Sequence, residues 1–104
     1  MAAIALDLGG TKLAAALLSD SGAILIRETT HLKKLEGPGV GTLILQQADS
    51  ILKRAKEKNI TVNGLGICVP GIAHPKTGTV WAPNIPGWDD YPLLEELKSG
   101  LKSA

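Results

Sequence analysis

Six consecutive residues, Asp7-Leu8-Gly9-Gly10-Thr11-Lys12, bring together the groups a polyphosphate requires. Two adjacent glycines in a tight turn leave backbone N–H groups open to an anion, with no side chain in the way. Thr11 adds a hydroxyl and Lys12 an ammonium, while Asp7 closes the preceding apolar run with a carboxylate. Such a carboxylate suits Mg²⁺, held mostly through water, because that ion prefers hard oxygens and keeps much of its hydration. Taken alone, the same six residues also describe an ordinary hairpin in which Gly9-Gly10 supplies positive φ and Asp7 caps the turn.

The elements around this stretch decide where it sits. Ala2–Asp7 and Lys12–Leu18 are apolar runs flanking the glycines and read as a hairpin. Ser19-Asp20-Ser21-Gly22 is a second turn, and the alternation in Ala23–Thr30 predicts a third antiparallel strand. Gly37, Gly39 and Gly41 then break the chain as a hinge, and they lack the strand and spacing of a dinucleotide fingerprint. From Val40, apolar residues recur at helical spacing through Leu43, Ile44, Ala48, Ile51, Leu52 and Ala55, with basic residues in the last turn to suit the helix dipole. Leu65–Val69 is near-continuously apolar, which predicts a strand parallel to the first and buried on both faces. Ile72–Trp88 is loop-like, with Thr79–Trp81 short enough for a brief strand, and Leu93, Leu94, Leu97 and Leu101 mark a final helix. The order predicts an α/β layer with a mixed sheet, three antiparallel strands followed by a parallel one, flanked by helices.

Three segments, in this order along the chain, resemble the ROK family of bacterial sugar kinases and repressors, within the actin and sugar-kinase superfamily of ribonuclease-H-like lobes. Asp7–Lys12 is similar to the family's first phosphate motif, Gly66-Ile67-Cys68-Val69-Pro70-Gly71 to its Gly-x-x-x-Pro-Gly strand end, and Pro83-Asn84-Ile85-Pro86-Gly87-Trp88 to its Asn-x-x-x-Trp sugar loop. The resemblance implies a ribonuclease-H-like fold for residues 1–104, as the N-terminal part of a first kinase lobe that is truncated, with the C-terminal lobe absent. It implies ATP and Mg²⁺ as cofactors, with phosphates on Gly9, Gly10, Thr11 and Lys12 and the metal near Asp7. It further implies that Gly71 and Asn84 face a hexose, the Asn84 amide bonding ring hydroxyls. An amide both donates and accepts, so it matches a hydroxyl that does the same and penalises a sugar that leaves it unpaired. Trp88 reads as a packing anchor. The family's catalytic base belongs to an Asn-Asp pair, which does not occur here, so no catalytic residue is expected in this chain and the base is expected beyond Ala104. Its zinc-binding Cys/His cluster and adenosine-contacting motifs are also absent from these residues.

Other reactive residues carry less. Asp89-Asp90 precede a leucine-periodic run, where acidic residues favour a helix start. His31 and His74 lie in polar contexts and are expected to face solvent. Asn59-Ile60-Thr61 matches a glycosylation pattern that arises often by chance. A single cysteine, Cys68, excludes an intrachain disulfide, and two distant histidines with it cannot build a zinc site.

Composition sets the remaining bounds. With 44% hydrophobic residues, 20% charged and a formal net charge of +1, the 104-residue chain is neither disordered in character nor basic enough for nucleic acid to be its main partner. Leu13–Leu18 and Leu65–Val69 fall far short of the ~20 residues that span a bilayer, and no basic segment precedes a signal-like run. The expectation is a cytoplasmic protein with no membrane partner, a homo-oligomer at full length. The leading function is an ATP-dependent sugar kinase acting on a glucose-like hexose, with this chain alone inactive. The rival is a sugar-sensing transcriptional repressor of the same family. Such repressors carry a helix-turn-helix domain ahead of the phosphate motif, whereas Asp7 lies six residues after Met1.

Overall fold

The computed structural model describes residues 2–101. Strands β1 (Ala2–Leu8), β2 (Lys12–Ser19) and β3 (Ile24–His31) form an antiparallel meander; α1 (Pro38–Glu57) crosses over to β4 (Val62–Cys68), which returns parallel to β1. The sheet order is therefore β3-β2-β1-β4. A small hairpin of β5 (Ile72–His74) and β6 (Thr79–Trp81) follows, then α2 (Leu93–Gly100).

Alternation in the strands creates the core. Ile4, Leu6 and Leu8 of β1 stand beside Leu17, Ala15 and Leu13 of β2, all on one face. Against that face α1 lays Val40, Ile44, Ala48, Ile51 and Ala55, a buried stripe at helical spacing. Where the same face runs out at β3, it turns polar and bonds the flank of the helix. Arg54 pairs with Glu28 at 2.7 Å, Ser50 donates to the same carboxylate at 3.1 Å, and Gln47 donates to Thr30.

β4 departs from the expectation of a strand buried on both faces. It is the edge of the sheet, and Val62, Leu65 and Ile67 turn partly into the core, while Gly64, Gly66 and Cys68 are exposed on the opposite face. Gly66 and Cys68 count as apolar by type but are too small to signal burial, so the run looks more continuous than its packing. A groove of about 550 Å³ lies beside this edge, lined among others by Leu65, Ile67, Leu94, Leu97 and Leu101.

The stretch expected to be mostly loop contains the β5–β6 hairpin, and Tyr91 adds an isolated antiparallel bridge to Val80. That bridge holds Asp89 and Asp90 outside α2, whose first turn carries Glu95 and Glu96 instead. The glycine hinge is also shorter than expected. Only Gly37 precedes α1, and Gly41 within the helix leaves the space occupied by Tyr91 and Glu96. Burial above all, with the hydrogen bond and charge of Glu96, raises Tyr91 above the ordinary tyrosine range, so it remains a hydrogen-bond donor at any common pH. No helix among the described residues is long and apolar enough to cross a membrane.

Candidate functional site

The three residues between β1 and β2 form the site's centre. Gly9 N–H donates to Lys12 O at 2.8 Å, which closes the turn. Neither Gly9 nor Gly10 lies in the left-handed region, so positive φ is not why glycine stands here. Crowding does not explain Gly10 either, because a Cβ built on it would meet nothing nearer than Asn84 Cβ at 3.9 Å. What Gly10 leaves is open, side-chain-free backbone facing solvent. An ordinary hairpin has no need of it.

Strand register puts Asp7 and Lys12 on the same face of the hairpin, the one turned away from α1. Asp7 stands at the carboxyl end of β1 beside Cys68 at the same end of β4, and ligands of open α/β sheets gather at carboxyl strand ends. Asp7, Thr11 and Lys12 are all exposed.

Asn84 arrives from a tight loop. Ile85 N–H donates to Ala82 O at 3.0 Å, Trp88 N–H to Ile85 O at 3.1 Å, and Ala82 N–H back to Trp88 O at 2.8 Å. Trp88 is the anchor expected of it: 1% exposed, stacked on Tyr91 with centroids 4.2 Å apart, its Nε1–H donating to Gly37 O at 3.0 Å. Gly37 N–H in turn donates to Pro86 O at 2.7 Å, so the loop is strapped to the start of α1. The Asn84 side chain is exposed, and among the described residues its amide bonds no protein group, its own backbone included.

Gly71 differs from the others. A Cβ there would lie 1.9 Å from Trp81 O and 2.9 Å from Ala82 Cα, so glycine is required by the close passage of β6. The structure thus brings Gly9–Lys12, Asp7 and Asn84 to one place, and gives Gly71 a packing role beside the loop that carries Asn84. His31 and His74 are exposed, as expected.

One part of the site is not evident in the sequence. A cavity of about 460 Å³ adjoins the hairpin, lined by Gly10, Thr11, His31, Leu32, Lys33 and Lys34. Leu32 is buried and its N–H donates to Thr11 O at 2.9 Å, while Leu35 N–H donates to Leu32 O at 2.9 Å across a turn with φ 52° at Lys33 and 61° at Lys34. Turns with positive φ at both central residues are ordinarily signalled by asparagine or glycine, which is why two lysines gave no warning.

Comparison with known proteins bears on the family and the fold. The ROK family profile matches residues 3–104. A glucokinase of Thermotoga maritima is 31% identical over 101 residues, covering 90% of this chain and 29% of that protein. A crystal structure of a ROK family glucokinase from Streptomyces griseus, in complex with glucose and AMPPNP, superposes with a TM-score of 0.79 at 26% identity, over 98% of this chain and 31% of the other. A ROK family transcriptional regulator, a homologue of the E. coli MLC protein, superposes with a TM-score of 0.84 at 19% identity, over 97% of this chain and 26% of that chain, which speaks to the fold alone. The chain thus spans between about a quarter and a third of the length of these relatives.

Proposed function

This chain belongs to the ROK family, and from that premise we propose that it forms the N-terminal part of the first lobe of an ATP-dependent hexose kinase, which passes the γ-phosphoryl group of ATP to a sugar hydroxyl. The observation that carries this reading is the meeting of the two-glycine turn with Asn84, whose Cβ lies 3.9 Å from a Cβ built on Gly10. A donor's phosphates on Gly9–Lys12 and a sugar on Asn84 would lie against each other. Phosphoryl transfer needs that above all, because its catalysis rests on positioning and on stabilising charge. The glucose and AMPPNP held by the Streptomyces relative are ligands of these two kinds.

The residues fit Mg²⁺. Asp7 offers one exposed carboxylate beside the phosphate turn, and among the described residues no three of His, Cys, Asp or Glu gather into an all-protein cage. Magnesium at phosphates is ordinarily held in this way, by one or two carboxylates, water and the phosphates themselves. Bound near Asp7, it would neutralise charge on the donor. Lys12 would add a cation on the same face, and the Gly9–Gly10 backbone would contribute N–H donors. The base that takes the hydroxyl proton, and the groups that hold the adenosine, are assigned to parts of the protein outside these residues.

A regulator shares the fold, so the fold does not choose between kinase and repressor. The intact phosphate turn favours the kinase. The test is a full-length protein carrying this segment, assayed with ATP, Mg²⁺ and a panel of hexoses. Turnover is expected on a glucose-like sugar, and Asp7→Asn should lower it sharply while leaving sugar titration nearly unchanged. Sugar binding without turnover would favour the repressor, and an Asp7→Asn variant with wild-type turnover would remove Asp7 from the reaction.

A further inference from the structure

We infer that the Lys33–Lys34 turn, with Lys12 and His31, forms a cationic rim that holds phosphate oxygens of the triphosphate donor beyond the two-glycine turn; the identity of that donor rests on the kinase reading above. The rim is built rather than incidental. Its turn is fixed at one end by Leu32, buried and bonded to Thr11, and closed by the Leu35-to-Leu32 hydrogen bond. Both lysines are held in the left-handed region, which non-glycine residues adopt only where the surroundings impose it and which collects at functional sites. His31 stands opposite Lys12 in the β2–β3 ladder, on the same face as Asp7.

The charges match an anion. The cavity of about 460 Å³ is lined by two lysines, a histidine, the Thr11 hydroxyl and the Gly10 backbone, with no carboxylate among them. Among the described residues neither lysine is paired with an acid, the ion pairs being those of Arg54 and Lys53. Asp7 and Glu36 are the nearest acidic residues in sequence to the hairpin and the turn, and neither lines the cavity. A phosphorylated sugar also carries a phosphate, but no residue of the Asn84 loop lines this space. It opens from the hairpin, where the donor's phosphates lie, and so it belongs to the donor.

The test replaces both lysines in the full-length protein as Lys33→Asn/Lys34→Asn. Asparagine tolerates left-handed backbone, so the substitution removes charge while keeping the turn. Tripolyphosphate, hexose 6-phosphate and free hexose are titrated calorimetrically at low salt, and KM for ATP is measured alongside. The expected result is tripolyphosphate binding weakened about tenfold, the scale of two exposed, salt-screened phosphate contacts, with a parallel rise in KM for ATP. Hexose and hexose 6-phosphate binding should not change, and Lys33→Arg/Lys34→Arg should behave as the wild type. Unchanged tripolyphosphate affinity overturns the rim whether or not the protein is a kinase. Weakened hexose 6-phosphate binding alone would reassign it to product and overturn the donor assignment. Joint loss of sugar and tripolyphosphate binding that the arginine pair does not restore would make the lysines structural. A wild type that binds tripolyphosphate through these lysines but transfers no phosphoryl group refutes the kinase reading and leaves the rim standing.

Discussion

Gly10→Ala separates a glycine needed by the fold from one needed by a ligand. The added methyl would lie 3.9 Å from Asn84 Cβ, an ordinary van der Waals contact, and the backbone at Gly10 is outside the left-handed region. The folded state therefore accommodates alanine. The unfolded chain loses freedom, which stabilises by about 0.4–1 kcal/mol where the native conformation is compatible. In a full-length protein that amounts to an unchanged melting temperature or a rise of no more than about 4 °C. Function should respond in the opposite direction, because the methyl points into the gap between the phosphate turn and Asn84. Displacing either reactant by about 1 Å costs on the order of 10²-fold, and losing one charge-assisted N–H contact to phosphate costs about 1.5–3 kcal/mol. We expect kcat/KM for ATP to fall about 100-fold in a protein that melts no lower than wild type. Differential scanning calorimetry and steady-state kinetics on the same preparation decide it. Wild-type kcat/KM would refute the argument that Gly10 is kept bare for a ligand, and a large loss of stability would refute the geometry from which it starts.

Gly71→Ala should behave in reverse: a Cβ 1.9 Å from Trp81 O forces β6 to move, so stability should fall by at least the ~1–3 kcal/mol typical of overpacking, seen as a lower denaturation midpoint. Asn84→Ala should weaken sugar binding by roughly 1–3 kcal/mol with little effect on nucleotide, measured by calorimetry, and unchanged sugar affinity would make Asn84 an ordinary loop residue. The 104-residue chain by itself should show no measurable phosphoryl transfer with ATP, Mg²⁺ and hexoses, and should self-associate along the free edge of β4. Robust turnover by a species that light scattering shows to be a monomer would contradict both expectations.

The meander, the crossover helix and the parallel return were legible because their signals are local: apolar runs either side of Gly9-Gly10 for β1 and β2, alternation in β3, a 3.6-residue stripe in α1 and a second apolar run for β4. Burial of β4 was misjudged because residue type does not record which neighbours exist on each side. Gly66 and Cys68 would suit a covered face, but in this chain that face is open. The motif residues Asp7–Lys12 and Asn84 could be picked out individually, yet nothing in spacing alone places them together. Their meeting depends on the Gly37–Pro86 and Trp88–Gly37 hydrogen bonds, which join segments far apart in the chain. The Lys33–Lys34 turn was hidden for a different reason. Its conformation is set by the anchoring of Leu32 on Thr11 and not by the turn preferences of lysine, so tertiary structure overrides the local code there.

Those same links bear on how the site would work. The two-glycine turn is held to the start of the β3–α1 connection by Leu32 on Thr11, and the end of that connection is held to the Asn84 loop by Gly37 on Pro86 and by Trp88 on Gly37. The connection between β3 and α1 is therefore a brace with one end on each half of the site, and α1 packs its buried stripe on the very strands that carry the turn. A phosphoryl donor and a sugar hydroxyl gain most from a scaffold that fixes their relative position before they bind, since the entropy of bringing them together is then already met by folding. It follows that damage to the brace should not resemble damage to either binding loop. Loosening Trp88 would leave the Asn84 amide and the glycine turn chemically intact, while letting the distance between them vary. The loss should then appear chiefly in kcat, with the separate affinities for nucleotide and sugar much less affected.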